Sequence, residues 1–149
     1  MDSVSAEGII ALKIPLTVIS KSNYRHKGKS NWQRFKGFEE ELILLVRESL
    51  PSDWKTTSYG HYFGVCIIAN SKIDAGNLSK SILDALEGLL YKNDGDAKVV
   101  VAINSNYQEN PTLDKENLLL IIYRAPKDKF DSKRALAKLN EETIFNQNF

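Results

Sequence analysis

Cysteine is almost absent from this 149-residue chain, and the single one, Cys66, lies in the apolar run Val65-Cys66-Ile67-Ile68. A disulfide framework and a cysteine-based zinc site are thereby excluded, and Cys66 is expected as a buried core thiol. Long hydrophobic runs are missing too. The longest aliphatic stretch, Leu118 to Ile122, falls far short of the about 20 residues that cross a bilayer. The first residues, Met1 to Glu7, carry acid and no base, unlike a secretory signal, and the expectation is a cytoplasmic protein. No Gly-rich phosphate loop, nucleophile elbow or Cys/His pair occurs. His26 and His61 lack a partner at metal-binding spacing, so His26 is expected at the surface and His61 at a strand end.

Acidic residues are absent from one long stretch. Between Glu7 and Glu39 there are none, whereas Lys13, Lys21, Arg25, Lys27, Lys29, Arg34 and Lys36 all fall there. The formal net charge of +1 thus hides a basic N-terminal segment and an acidic remainder. Such asymmetry suggests contact with a polyanion. The length and ordinary composition fit a single domain, residues 1–149, with a real hydrophobic core.

Periodicity places the elements. Ile9 to Ile19 reads as a strand, with Pro15 marking an edge or bulge. Ser20 to Ser30 reads as a basic loop. Ser30 and Gln33 form a capping box, and Trp32, Phe35, Phe38, Leu42, Leu45 and Val46 recur at helical spacing up to about Leu50. Strands are expected over His61–Ala69, Lys98–Asn104 and Asn117–Arg124. Helices are expected over Asn77–Tyr91 and Asp131–Phe145, the former burying Leu78, Ile82, Leu86, Leu89 and Leu90. The order predicts an α+β fold, with a mixed sheet of about four strands and helices packed against it.

Two acidic turns bracket the second helix. Asp74 precedes it, Asn77 is a reasonable N-cap, Lys80 sits in its opening turn, and Asn93-Asp94-Gly95-Asp96 follows it. A lysine at a helix N-terminus opposes the macrodipole, so its ammonium belongs beside a carboxylate or a phosphate. The two turns can meet if the third strand folds back beside the second. Carboxylates gathered at strand ends bind a hard divalent cation such as Mg²⁺, which can activate a phosphodiester. Asx-rich turns are also common with no such role, and spacing alone leaves both readings open.

This segment resembles the RusA-type Holliday junction resolvases. Their pattern runs Asp-x-Asp-Asn-hydrophobic-x-Lys, then Asp-Ala-Leu and often a Gly, then Tyr-x-Asp-Asp-Ser-Gln-Val. The chain offers Asp74-x-Gly76-Asn77-Leu78-x-Lys80, then Asp84-Ala85-Leu86 and Gly88, then Tyr91-x-Asn93-Asp94-Gly95-Asp96, without a gap. The resemblance implies a bacterial or phage endodeoxyribonuclease acting in recombination and repair, which cuts four-way DNA junctions as a homodimer with Mg²⁺. Carried over, Asp74 and Asp94 are metal-binding and catalytic residues, and Lys80 is catalytic. Gly76 stands where a second metal-binding Asp belongs, and Asn93 replaces the first Asp of the later pair. Asp96 can supply a substitute ligand. The departures also fit a relative that binds junctions without cutting them; an unrelated protein-interaction domain is the remaining alternative. Lys21, Tyr24, Arg25, Lys27, Lys29, Arg34 and Lys36 are the candidate DNA contacts. Trp32, Phe35 and Phe38 are expected in the core, Glu39-Glu40-Glu41 on a solvated face, and Ile43 or Leu44 at a dimer contact.

Overall fold

A computed structural model describes residues 7–16, 29–54, 60–69, 75–104 and 118–147. Its elements in chain order are β1 (Gly8–Ile14), α1 (Lys29–Ser49), β2 (His61–Ala69), α2 (Ala75–Leu86), β3 (Ala97–Asn104), β4 (Leu118–Pro126) and α3 (Ser132–Gln147). Short 3-10 turns lie at Ser52–Trp54 and Asp94–Asp96. The four strands form one mixed sheet in the order β1-β4-β2-β3. β4 is antiparallel to both β1 and β2, and β2 is parallel to β3, so α2 is the crossover between two parallel neighbours. This is the expected α+β arrangement.

Strand burial follows from sheet position. The central strands read almost continuously apolar, Val65 to Ala69 in β2 and Leu118 to Ile122 in β4, because both their faces are covered. One face carries Ile14, Phe63, Val65, Ile67, Leu120 and Ile122 against the buried stripes of α1 and α2. The other carries Cys66, Ile68, Ile121 and Tyr123 against Ala135 and Leu139 of α3. Cys66 is buried as expected, its Sγ 3.6 Å from Thr143 Oγ1, and burial pushes its thiol pKa up. Phe35 and Phe38 are core residues as expected, with ring centroids 5.9 Å apart. Ile43 packs against the same core, whereas Leu44 is exposed.

Several boundaries differ from expectation; β1, for one, ends at Ile14 before Pro15 rather than running on to Ile19. α2 opens at Ala75, so Asn77 is inside the helix rather than its cap, and Lys80 falls in the second turn. The macrodipole effect fades beyond the first turn, and this removes the opposition foreseen for Lys80. α2 stops at Leu86, because Gly88 adopts φ 89°, a left-handed conformation open to glycine at little cost. Leu89, Leu90 and Tyr91 are buried all the same, tucked beneath the helix rather than continuing it. α1 begins at Lys29, one residue ahead of the foreseen cap Ser30.

Glu7 ties the start of β1 to α3. Its carboxylate accepts hydrogen bonds from the Tyr123 hydroxyl and from Arg134 Nε and Nη2, the latter two at 2.6 and 2.8 Å. This fork holds the Glu7 pKa down at about 2, from an ordinary 4.5, and pushes Tyr123 up to about 12 through burial and the facing carboxylate. A depressed carboxylate pKa stabilises the fold above the unfolded value, and that contribution is lost as pH falls through the folded one. Denaturant titrations should therefore show the advantage of the parent over Glu7→Gln shrinking between about pH 4.5 and 2, with the two curves converging below.

Candidate metal centre and nucleic-acid interface

The β2–α2–β3 unit carries the motif, and its residues divide into scaffold and chemistry. Leu78, Ala85 and Leu86 are buried on the inner face of α2. Gly88 reverses the chain, its amide donating to the Tyr91 carbonyl at 2.7 Å. The Tyr91 hydroxyl donates to the Leu83 carbonyl at 2.9 Å, and its ring lies 5.6 Å from that of Phe63. Tyr91 thus clamps the segment before the second acidic turn to both α2 and β2. That turn is shaped by Asn93, whose Oδ1 accepts from the Gly95 amide at 2.9 Å and whose carbonyl accepts from the Asp96 amide at 2.9 Å. An asparagine side chain forms this Asx turn as readily as an aspartate, so the change at Asn93 is compatible with the turn.

Strand direction decides where the two acidic turns lie. β3 does fold back beside β2, but in parallel, with Phe63 opposite Ala97 and Ala69 opposite Asn104. The turn Asp94–Asp96 therefore sits at the end of the sheet where β2 and β3 begin. Ala75, the residue after Asp74, opens α2, whose 12 residues run back over about 18 Å. The start of α2 and the second turn are thus separated by the length of the helix. Asp74 itself lies outside the described residues, as do Lys21, Tyr24, Arg25 and Lys27, and the side chains of Lys29, Trp32 and Asp94 are likewise outside them. Lys80 is exposed, as are Arg34 and Lys36 on the outer side of α1; Lys36 Nζ stands 3.3 Å from Glu39. Glu40 and Glu41 are exposed as foreseen.

Among the described residues, no three His, Cys, Asp or Glu side chains gather closely enough to hold a metal ion. The motif's carboxylates are hard oxygen donors of the kind that Mg²⁺ takes. Asp96, mostly shielded, has the Lys127 ammonium 3.7 Å away. A cation that bound Asp96 would have to compete with this lysine. If Asp96 is a ligand, Lys127→Ala should tighten Mg²⁺ binding two- to five-fold by calorimetry. That range matches the modest strength, up to about 1 kcal/mol, of a partly exposed ion pair.

The structure adds residues at this end that sequence reasoning missed. The ring of Tyr62 is flanked by two ammonium groups, Lys98 at 4.7 Å and Lys127 at 5.1 Å from its centroid. Lys98 reaches it from an irregularity in the β2–β3 register at Phe63/Gly64, and Lys127 from just beyond β4. No short-range pattern joins three positions so far apart in sequence. At the same end Arg124 is buried, its guanidinium 4.0 Å above the Trp54 ring and its Nη2 3.5 Å from Asp53 Oδ2. Burial depresses its pKa, with Asp53 opposing.

The parallel crossover β2–α2–β3, bearing Lys80 on its helix and the turn Asp94–Asp96 after it, is thus the local unit of a small α+β domain that carries the motif. A family model described as endodeoxyribonuclease RusA matches residues 18–114, about two thirds of the chain. The chain belongs to this family of Holliday junction-resolving endonucleases, which generally depend on a divalent metal. No curated protein matches it. The matched stretch ends before β4, although β4 lies between β1 and β2 in the sheet. Among the described residues, no helix is long and apolar enough to cross a membrane.

Proposed function

We propose that this protein is a Mg²⁺-dependent, structure-selective endonuclease that cuts branched DNA, four-way junctions above all, in recombination and repair. The observation that carries this is the gap-free motif from Asp74 to Asp96, which spans the crossover helix inside the family-matched stretch. Asp74 and Asp94 would hold the metal, with Asp96 as an auxiliary ligand. When bound, the ion supplies Lewis acidity to a phosphodiester. Lys80, exposed on α2, places an ammonium where charge develops on the phosphate. Lys21, Arg25, Lys27, Lys29, Arg34 and Lys36 would hold the DNA arms by neutralising phosphates, and Tyr24 would face the DNA as an aromatic contact. On this reading the protein acts on DNA in the cytoplasm of a bacterium, from a bacterial or phage gene.

The working form is a homodimer. Resolving a junction takes two symmetric nicks, which two copies of the chain would supply. A second reading, a junction-binding relative with weak catalysis, is favoured by one observation, Gly76 in place of a carboxylate.

Salt dependence tests the DNA half. Junction affinity should fall steeply between 50 and 200 mM salt, and Arg34→Ala and Lys36→Ala should each flatten the log–log slope by about 1. An affinity indifferent to salt would contradict it.

A further inference from the structure

One cluster outside the motif gathers positive charge around an aromatic ring. β2 begins at His61, β3 begins at Ala97 and β4 ends at Pro126, so Tyr62, Lys98 and Lys127 share one end of the sheet. Tyr62 alternates along β2 with Phe63, which belongs to the core beneath α1 and α2. Its ring therefore lies on the opposite face, the one that α3 covers, where Phe130 meets it edge-on at 5.9 Å and 84°. The Lys98 and Lys127 ammonium groups stand 4.7 and 5.1 Å from the ring centroid, which puts them within about 10 Å of each other.

Stability alone does not account for this arrangement. Like charges held together repel, and cation–π contacts at exposed positions are weak. Lys98 is exposed, and among the described residues no carboxylate pairs with it. Lys127 is exposed too, and its ion pair is a long one, 3.7 Å to Asp96. Lys98 owes its position to the register irregularity at Phe63/Gly64, and bulges of this kind re-aim side chains at functional sites. Two lysines already fixed over one ring lose less freedom on meeting a ligand that bridges both. A DNA strand is such a ligand, since it sets one phosphate per about 3.4 Å of helix axis.

We infer that Tyr62, Lys98 and Lys127 form a second DNA-backbone site, which takes an arm of the junction other than the one held on α1. This rests on the function proposed above. Arg34 and Lys36 are exposed on α1, which packs on the other face of the sheet. The sheet therefore separates the two basic surfaces. Duplex DNA is stiff over about 150 bp, so one straight arm does not wrap around both faces, whereas a branched DNA sends an arm to each. Lys98 and Lys127 are the phosphate contacts. Tyr62 is a positioning residue that holds their ammonium groups in place.

Salt titrations of DNA binding in the absence of metal test this site apart from cleavage. Lys98→Gln and Lys127→Gln should each flatten the log–log slope on a four-way junction by about 1, and the double variant by about 2. On a linear duplex the same changes should move the slope by less than half as much. Lys98→Arg and Lys127→Arg should keep the parent slope. Tyr62→Leu should weaken junction binding roughly two- to five-fold with the slope kept, and Tyr62→Phe should bind like the parent. Lys13→Gln, exposed on the far edge strand, is the control and should leave the slope as it was. If the double variant keeps the parent slope while Arg34→Ala and Lys36→Ala lose theirs, the inference is overturned and the proposed function stands. An equal flattening by Lys13→Gln reports overall charge only and overturns the inference as well. Equal losses on junction and duplex overturn the assignment to a separate arm. A parent that binds neither DNA overturns both the inference and the function.

Discussion

Asp94→Asn should lower Mg²⁺-dependent nicking of a four-way junction by about 10²- to 10³-fold. The change removes one negative charge and almost no volume. The turn that carries it is held by the Asn93 carbonyl and Oδ1, which accept from the Asp96 and Gly95 amides, so the backbone there has no need of a carboxylate at 94. The loss should therefore fall on metal affinity and on rate, not on folding. Removing a single group that stabilises developing charge costs of this order in well-studied enzymes. Single-turnover kinetics at several Mg²⁺ concentrations would separate the two effects, and junction binding in Ca²⁺ or without metal should be unchanged within about two-fold. Asp96→Asn should cost less, because Asp96 already shares its charge with Lys127. A variant at Asp94 that nicks as fast as the parent would remove this residue from the site.

Gly76→Asp should raise nicking at least about ten-fold and tighten Mg²⁺ binding. The position is exposed and lies in the first turn of α2, with its carbonyl accepting from Ser79 Oγ at 3.0 Å. Glycine in a helix costs up to about 1 kcal/mol against better helix formers, and an acid in the first turn gains about 0.3–1 kcal/mol from the macrodipole. The substitution should then be neutral or slightly stabilising in a thermal melt, which is unusual for an added charge in a metal site. Gain of activity with unchanged or higher stability would mark Gly76 as the missing ligand position. A rise in stability with no change in metal affinity or cleavage would show that position 76 lies outside the metal's reach.

How much of this was legible in the sequence depends on the range of the signal. β2 was readable to the residue, His61 to Ala69, because its apolar run is bounded by polar loops. The extent of α2 was not. Leu89 and Leu90 continue the apolar spacing past Gly88, and periodicity cannot separate a helix from a turn folded beneath it. Strand order was also hidden, since β4 enters between β1 and β2 from the far end of the chain. The motif residues were visible because they lie within one local unit. The direction of β3 was not, and it is this direction that puts the second turn at the opposite end of α2 from Ala75. Lys98, Tyr62 and Lys127 converge only through sheet pairing, so no spacing rule could find them. Phe35 and Phe38 illustrate the converse: their helical spacing foretold core, and core is where they are.

The most direct test is a cleavage assay with Mg²⁺ on a synthetic four-way junction and on a linear duplex of the same sequence, run for the parent chain, Gly76→Asp and Asp94→Asn. The parent should nick the junction and spare the duplex, Gly76→Asp should nick it faster, and Asp94→Asn should leave it whole. If neither the parent nor Gly76→Asp cuts or prefers the junction, the assignment of this chain as a junction-cutting nuclease is wrong.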